Sequence, residues 1–168
     1  MSDLDNFVVA CEALLDEPDV AERVAEAMRP LVAASASLSA AVEEIREAPG
    51  RAAMVHRTDR LTVLGLEIAA GFVSPPHDHR LWSVVGVYEG DEDNVFYERI
   101  DTGIEKTGEG VLHEGDCLAL PANAVHRIAN TGASPMRALH VYGGDLIATA
   151  RSQWDDVTGE ELPFGAAR

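Results

Sequence analysis

The chain has 168 residues, 46% of them hydrophobic, and a net charge of −16. That length suits one domain with a sizeable core, and the acidity repels phosphate backbones and anionic lipid headgroups, so neither nucleic acid nor a membrane is an expected partner. The longest apolar stretches are interrupted well before the roughly 18 residues that a membrane span needs, and residues 1–19 show no basic start followed by an apolar run and a small-residue cleavage site, so a cytoplasmic location is expected.

In chain order, the first pattern is helical. Leu4, Phe7, Val8, Cys11, Leu14 and Leu15 repeat at the spacing of one buried helix face, with Ser2 as N-cap. Pro18 fits the first turn of a second helix carrying Val20, Val24 and Met28 inward, and Pro30 is expected to end it. A third helix is expected over 37–47, burying Leu38, Val42 and Ile45, and Pro49-Gly50 stops it. Residues 1–50 thus read as a helical segment packed on the remainder of the chain. From about residue 60 the pattern changes to short apolar runs, over 61–69, 81–88, 94–100, 111–112, 117–120, 125–130 and 136–142, separated by Gly-, Asp- and Asn-rich turns. Runs of this kind without intervening helices predict an all-β sandwich or barrel over 51–168, the whole chain forming one domain. The tail, 153–168, is of mixed polarity and is expected on the surface, with a helix as its only candidate element. Cys11 and Cys117 are far apart, without a C-x-x-C pattern, and read as small buried hydrophobes rather than a disulfide or reactive thiols.

Six histidines occur. The sharpest local signal is Pro75-Pro76-His77-Asp78-His79, because residues two apart on an extended segment point to the same side and can present both imidazoles to one point. Neutral imidazole is a good ligand for iron, zinc, copper and nickel. The second signal runs from Gly115 through Pro121 and His126 to Asn130. Its four fixed positions match the second cupin motif, G(x)5P(x)4H(x)3N, and Gly71, His77, His79 and Gly90 fit the spacing of the first, whose acidic position is taken here by Ser83.

The chain therefore resembles the cupin superfamily over roughly residues 55–145, which implies a mainly β fold, a double-stranded β-helix or jelly-roll barrel, preceded here by the helical segment. The resemblance implies one divalent metal held by His77, His79 and His126, with Fe(II) expected and zinc, nickel or manganese as alternatives. His56 and His113 read as surface residues outside the chemistry.

Two further segments narrow the resemblance. Pro76-His77-Asp78-His79-Arg80-Leu81-Trp82 is similar to the metal region of bacterial cysteine dioxygenase-like enzymes, and Leu139-His140-Val141-Tyr142 is similar to their S-x-H-x-Y pattern, with Ala138 in place of the serine that orients the histidine. The resemblance implies an oxidoreductase, a thiol dioxygenase that converts a small thiol such as cysteine or 3-mercaptopropionate to its sulfinic acid with O2, in which His140 and Tyr142 sit beside the metal as catalytic residues. Ser83 stands where the animal enzymes carry a cysteine crosslinked to the active-site tyrosine, so no such crosslink is expected. Members of the family hold the substrate carboxylate with an upstream Arg or Gln; Arg57 and Arg60 lie in that region, and Arg57 is preferred by its spacing before His77. Two other readings stand beside this one: a metal-dependent cupin enzyme of another class, either a carbon–carbon-cleaving dioxygenase or a zinc isomerase or hydrolase, and a non-catalytic metal-binding sensor. Cupins often associate through sheet edges, which allows a homodimer.

Overall fold

A computed structural model describes residues 1–165. Helix α1 (Asp3–Leu14) starts on a capping box in which the Asp5 N–H donates to Ser2 Oγ at 3.1 Å and the Ser2 N–H donates to Asp5 Oδ2 at 2.8 Å. Helix α2 spans Val20–Ala33 and α3 spans Ser35–Ile45. Pro18 lies ahead of α2 rather than in its first turn, and Pro30 lies inside it rather than ending it. Burial of Leu31 and Val32 holds the last turn of α2 in place despite the lost backbone donor. Among the described residues no helix is long and apolar enough to cross a membrane.

The strands are β1 (Ala53–Arg57), β2 (Thr62–Ile68), β3 (His77–Asp78), β4 (Ser83–Glu89), β5 (Glu92–Ile100), β6 (Gly103–Leu112), β7 (Cys117–Leu120), β8 (Val125–Ala129), β9 (Met136–Tyr142), β10 (Ser152–Trp154) and β11 (Glu161–Pro163). They form two sheets, of order β1-β2-β9-β4-β7 and β11-β10-β3-β8-β5-β6, with every pairing antiparallel. The expected strands over 61–69, 81–88, 94–100, 117–120, 125–130 and 136–142 are present. β1 has no counterpart among the expected runs, and β6 is far longer than the expected 111–112, because its exposed Glu, Lys and Thr residues pair along β5 without an apolar pattern. The tail holds β10 and β11 in place of the candidate helix; residues 166–168 of that tail lie outside the described residues. What recruits the tail is burial and pairing: Trp154 is 1% exposed, its N–H donates to Pro76 O at 2.9 Å, and Gln153 pairs with His77.

The inner strands β4 and β9 of the five-stranded sheet are buried on both faces. Along β4, Val84 and Tyr88 join the helical core of Val24, Met28, Val32, Leu38 and Val42, while Val85 and Val87 face the barrel interior. Along β9, Leu139 and Val141 face the helices, whereas Met136, Ala138, His140 and Tyr142 alternate inward. This double burial explains why these strands read as continuous apolar runs. Cys11 is fully buried and Cys117 partly so, and burial pushes their thiols up to about 12 and about 11, as expected of packing residues.

Two glycines let the helices approach. A Cβ at Gly86 would lie 2.3 Å from Met28 Sδ, and one at Gly65 would lie 2.3 Å from Val42 Cγ1. The methionine can swing aside, but Gly86 also faces the stiff, β-branched Val32, whose Cγ1 would lie 2.8 Å from the added Cβ, as Gly65 faces Val42. Gly65→Ala is therefore expected to cost about 1–3 kcal/mol of stability by overpacking. Urea unfolding checks this, and Val42→Ala added to Gly65→Ala should recover part of the loss.

Candidate metal centre

His77 and Asp78 form the two residues of β3, His79 comes directly after, and His77 pairs with His126 of β8. Strand alternation sends His77 and His79 inward and Asp78 outward. The three ring centroids lie 5.0, 4.8 and 5.1 Å apart, and one ligand atom from each ring falls within 4.8 Å of the others. All three residues are buried. The sequence-derived ligand set is thus brought to one point inside the barrel.

The donor set fits a metal. The Nδ1 atoms are taken up elsewhere: that of His77 lies 3.0 Å from Pro75 O, that of His126 lies 3.1 Å from Asn94 Oδ1, and that of His79 lies 3.5 Å from Ser83 Oγ. Each contact leaves Nε2 as the free ring nitrogen, and His126 Nε2 is buried with no hydrogen-bond partner. Partners behind ligand rings of this kind fix the tautomer and the ring direction. Burial, reinforced by the neighbouring rings, holds the His79 and His126 pKa values well below the usual histidine range, and burial lowers His77 as well, so the rings are neutral and able to ligate. Ser83 supplies a hydroxyl rather than a carboxylate, and the set is neutral.

His140 and Tyr142 enter the same cavity from β9. His140 Nδ1 lies 3.1 Å from the Tyr142 hydroxyl, and the Tyr142 ring stands edge-on to His79 at 4.9 Å. Burial lowers the His140 pKa to about 3 and raises that of Tyr142, so both are neutral at ordinary pH. The cavity measures about 570 Å³ and has walls that include Leu64, Leu66, Ile68, Phe72, Ile128 and Leu146.

Arg57 is placed elsewhere. Its guanidinium forms a two-point pair with Asp145 at 2.9 Å for both contacts, and it does not line the cavity; Arg60 pairs with Asp16. The cation that does line the cavity is Arg151, which stacks 3.9 Å from the Phe164 ring centre and has no carboxylate within ion-pair distance among the described residues. Sequence reading missed it because it stands alone in a segment without periodicity, and it missed Asn94 because an amide within a strand carries no pattern. His56 and His113 bond Glu12 and Asp91 and do not line the cavity.

No family model matches the chain. Among solved structures, it is similar to an uncharacterised protein with a double-stranded β-helix domain from Klebsiella pneumoniae, at 19% identity and a TM-score of 0.52 over 67% of this chain and 87% of that one. It is also similar to BH2720 from Bacillus halodurans, at 19% identity and a TM-score of 0.50 over 62% and 77%. The DMSP lyase DddQ from Ruegeria pomeroyi matches at 23% identity and a TM-score of 0.45 over 56% of this chain; the chain spans 43% of the length of that lyase. The fold is a double-stranded β-helix, preceded by three helices.

Four buried histidines held below the ordinary value of 6.5 set the acid response. Each binds fewer protons folded than unfolded, so its contribution is fully present above pH 6.5 and is lost as the pH falls. Glu92, pushed up to about 7 by burial, opposes this between 4.5 and 7, but it is one group against four. In chelator-treated protein the melting temperature is expected to fall from about pH 6.5 to about pH 5; a level profile would contradict the neutral, buried ligand set.

Proposed function

We propose that this chain is a mononuclear non-haem iron thiol dioxygenase that oxidises a small carboxylate-bearing thiol, such as cysteine or 3-mercaptopropionate, to its sulfinic acid with O2. The observation that carries this reading is the bonded His140–Tyr142 pair placed against the three-histidine cluster in one cavity. His77, His79 and His126 would hold Fe(II). When bound, the iron supplies the Lewis acidity that ionises a thiol and the redox capacity to use dioxygen.

The remaining work falls to this chain's own side chains. Tyr142 presents its phenol beside a ligand ring, where it meets the reacting atoms of a bound substrate. His140 behind it is a neutral ring whose Nδ1 is placed to accept the phenol's hydrogen bond. In place of Arg57, the reading assigns the substrate carboxylate to Arg151, whose planar fork suits two-point recognition and has no ion-pair partner among the described residues. The apolar walls exclude water from the reacting centre.

Iron-loaded protein is expected to consume oxygen with at least one of cysteine, 3-mercaptopropionate, cysteamine and homocysteine in an oxygen electrode. Uptake no greater than that of a His77→Ala control with every thiol removes the proposal. Tyr142→Phe should lower the rate roughly 10²-fold with iron content unchanged. Arg151→Ala should raise KM about 10- to 100-fold for the carboxylate thiols, while cysteamine, which lacks a carboxylate, should be unaffected. Equal loss with both kinds of substrate would remove the assigned role of Arg151.

A further inference from the structure

Glu92 is the first residue of β5 and is fully buried, an expensive location for a carboxyl group without a purpose. It shares the inner face of β5 with Asn94, two residues on. Its Oε1 accepts a hydrogen bond from Asn94 Nδ2 at 2.9 Å. Its Oε2 has no hydrogen-bond partner and lies 3.8 Å from His140 Nε2, which also has none. Two orphaned polar atoms inside the barrel thus face one another, from opposite sheets. On β9 itself nothing serves His140 Nε2: Tyr142 takes the other ring nitrogen, and the residue two before on the inner face is Ala138, which has no hydroxyl to offer.

We propose that Glu92 is the positioning residue of the His140–Tyr142 pair, fixing the imidazole with its proton on Nε2 so that Nδ1 accepts from the Tyr142 hydroxyl. The direction of every bond along the chain is set from its metal end. His126 must keep Nε2 bare to ligate, so its Nδ1–H donates to Asn94 Oδ1 at 3.1 Å. That fixes the Asn94 amide, whose Nδ2–H then donates to Glu92 Oε1. With the carboxyl ionised, Glu92 Oε2 is left as an acceptor 3.8 Å from His140 Nε2, an ion-pair distance rather than a hydrogen bond, and the ring therefore carries its hydrogen on that nitrogen. His140 Nδ1 is left to accept the phenol proton, 3.1 Å away. One polar chain therefore runs from a metal ligand, through Asn94 and Glu92, to the phenol on the other sheet.

The arrangement of a carboxylate, a neutral imidazole and a hydroxyl lets the hydroxyl exchange protons with a bound acid. When a substrate acid gives its proton to the Tyr142 oxygen, the phenol proton passes to His140 Nδ1. The imidazolium so formed has its Nε2–H beside the Glu92 carboxylate, and the substrate keeps the electron pair. One proton is moved and nothing is oxidised. The kinetic part of this inference rests on the thiol dioxygenase reading; the hydrogen-bond directions do not.

The test is nitrogen-15 NMR of the His140 ring in zinc-loaded, diamagnetic protein at about pH 8.5, above the Glu92 pKa of about 7, so that the carboxyl is ionised. The proton is expected on Nε2. In Glu92→Gln the amide oxygen stays engaged by Asn94, so the new amide N–H faces His140, and the ring proton should move to Nδ1. A proton on Nδ1 in the native protein overturns the proposal without any variant, and so does an unchanged tautomer in a folded, zinc-replete Glu92→Gln. In the iron-loaded enzyme, Glu92→Gln should lower kcat about 10- to 100-fold with KM and iron content unchanged. An unchanged kcat in an active enzyme overturns the proposal. Absence of turnover in the native protein removes the dioxygenase reading and leaves the NMR result to decide the role of Glu92.

Discussion

The pairing of β3 with β8 is the constraint on which the site depends. β3 is two residues long, and a strand so short contributes little ladder of its own. It is held because Asp78, between the two ligand histidines, is fully buried and fully engaged. Its Oδ1 accepts from the Ser152 N–H at 2.7 Å, while Oδ2 accepts from Arg80 Nε at 3.1 Å and from Arg99 Nη2. Arg99 in turn stacks over Trp154, at 5.1 Å from the ring centre. One outward-facing carboxylate thus ties the ligand segment to β10 on one side and β5 on the other. A charge so deeply buried is tolerated because two guanidinium groups and a backbone donor compensate it. The alternation that turns Asp78 out is the same alternation that turns His77 and His79 in.

The five-stranded sheet shows the same economy. With helices on one face and the barrel interior on the other, the apolar residues of β9 pack on both sides, and the odd and even positions serve different clusters. Leu139 and Val141 anchor the sheet to the helices, so the register of β9 against β2 and β4 is fixed by hydrophobic burial rather than by the polar residues between them. A slip of one residue would carry His140 and Tyr142 into the helical core. The N-terminal helices thereby fix the geometry of a site they do not touch.

Much of this was legible in the sequence because it obeys short-period rules. His77 and His79 were readable as neighbours on one face, and the motif containing Pro121, His126 and Asn130 marked the third ligand. Its glycine, Gly115, occupies a φ of 92°, where a side chain would be strained, and Asn130 caps the Ile68 and Ser134 carbonyls from within the barrel. What was not legible depends on contacts distant in the chain. Arg57 stood at a plausible spacing, yet Asp145, 88 residues away, holds it. Arg151 and Glu92 had no local pattern at all; they matter because β10 and β5 bring them beside residues from other strands. The tail carried too few apolar residues to be read as strands, because its pairing is led by Trp154 and by backbone bonds to the ligand segment.

The electrostatics of the cavity run against those of the molecule. The chain carries a net charge of −16, yet its ligand set is neutral and the cavity wall contributes the Arg151 guanidinium, while the Glu67 carboxylate in that wall is held by Arg137. Arg151 is partly desolvated, which lowers its pKa, and its charge helps to hold the His77 and His79 pKa values down. A partly desolvated guanidinium with no ion-pair partner among the described residues gains from an anion that arrives to share it. The face of Phe164 offsets part of the desolvation cost through cation–π attraction. A divalent metal held by neutral rings would add further positive charge in the same space. A ligand that brings negative charge at both ends, one toward the metal and one toward Arg151, relieves both at once. A small thiolate with a carboxylate has this charge pattern, and large polyanions are kept away by the acidic exterior before they reach it.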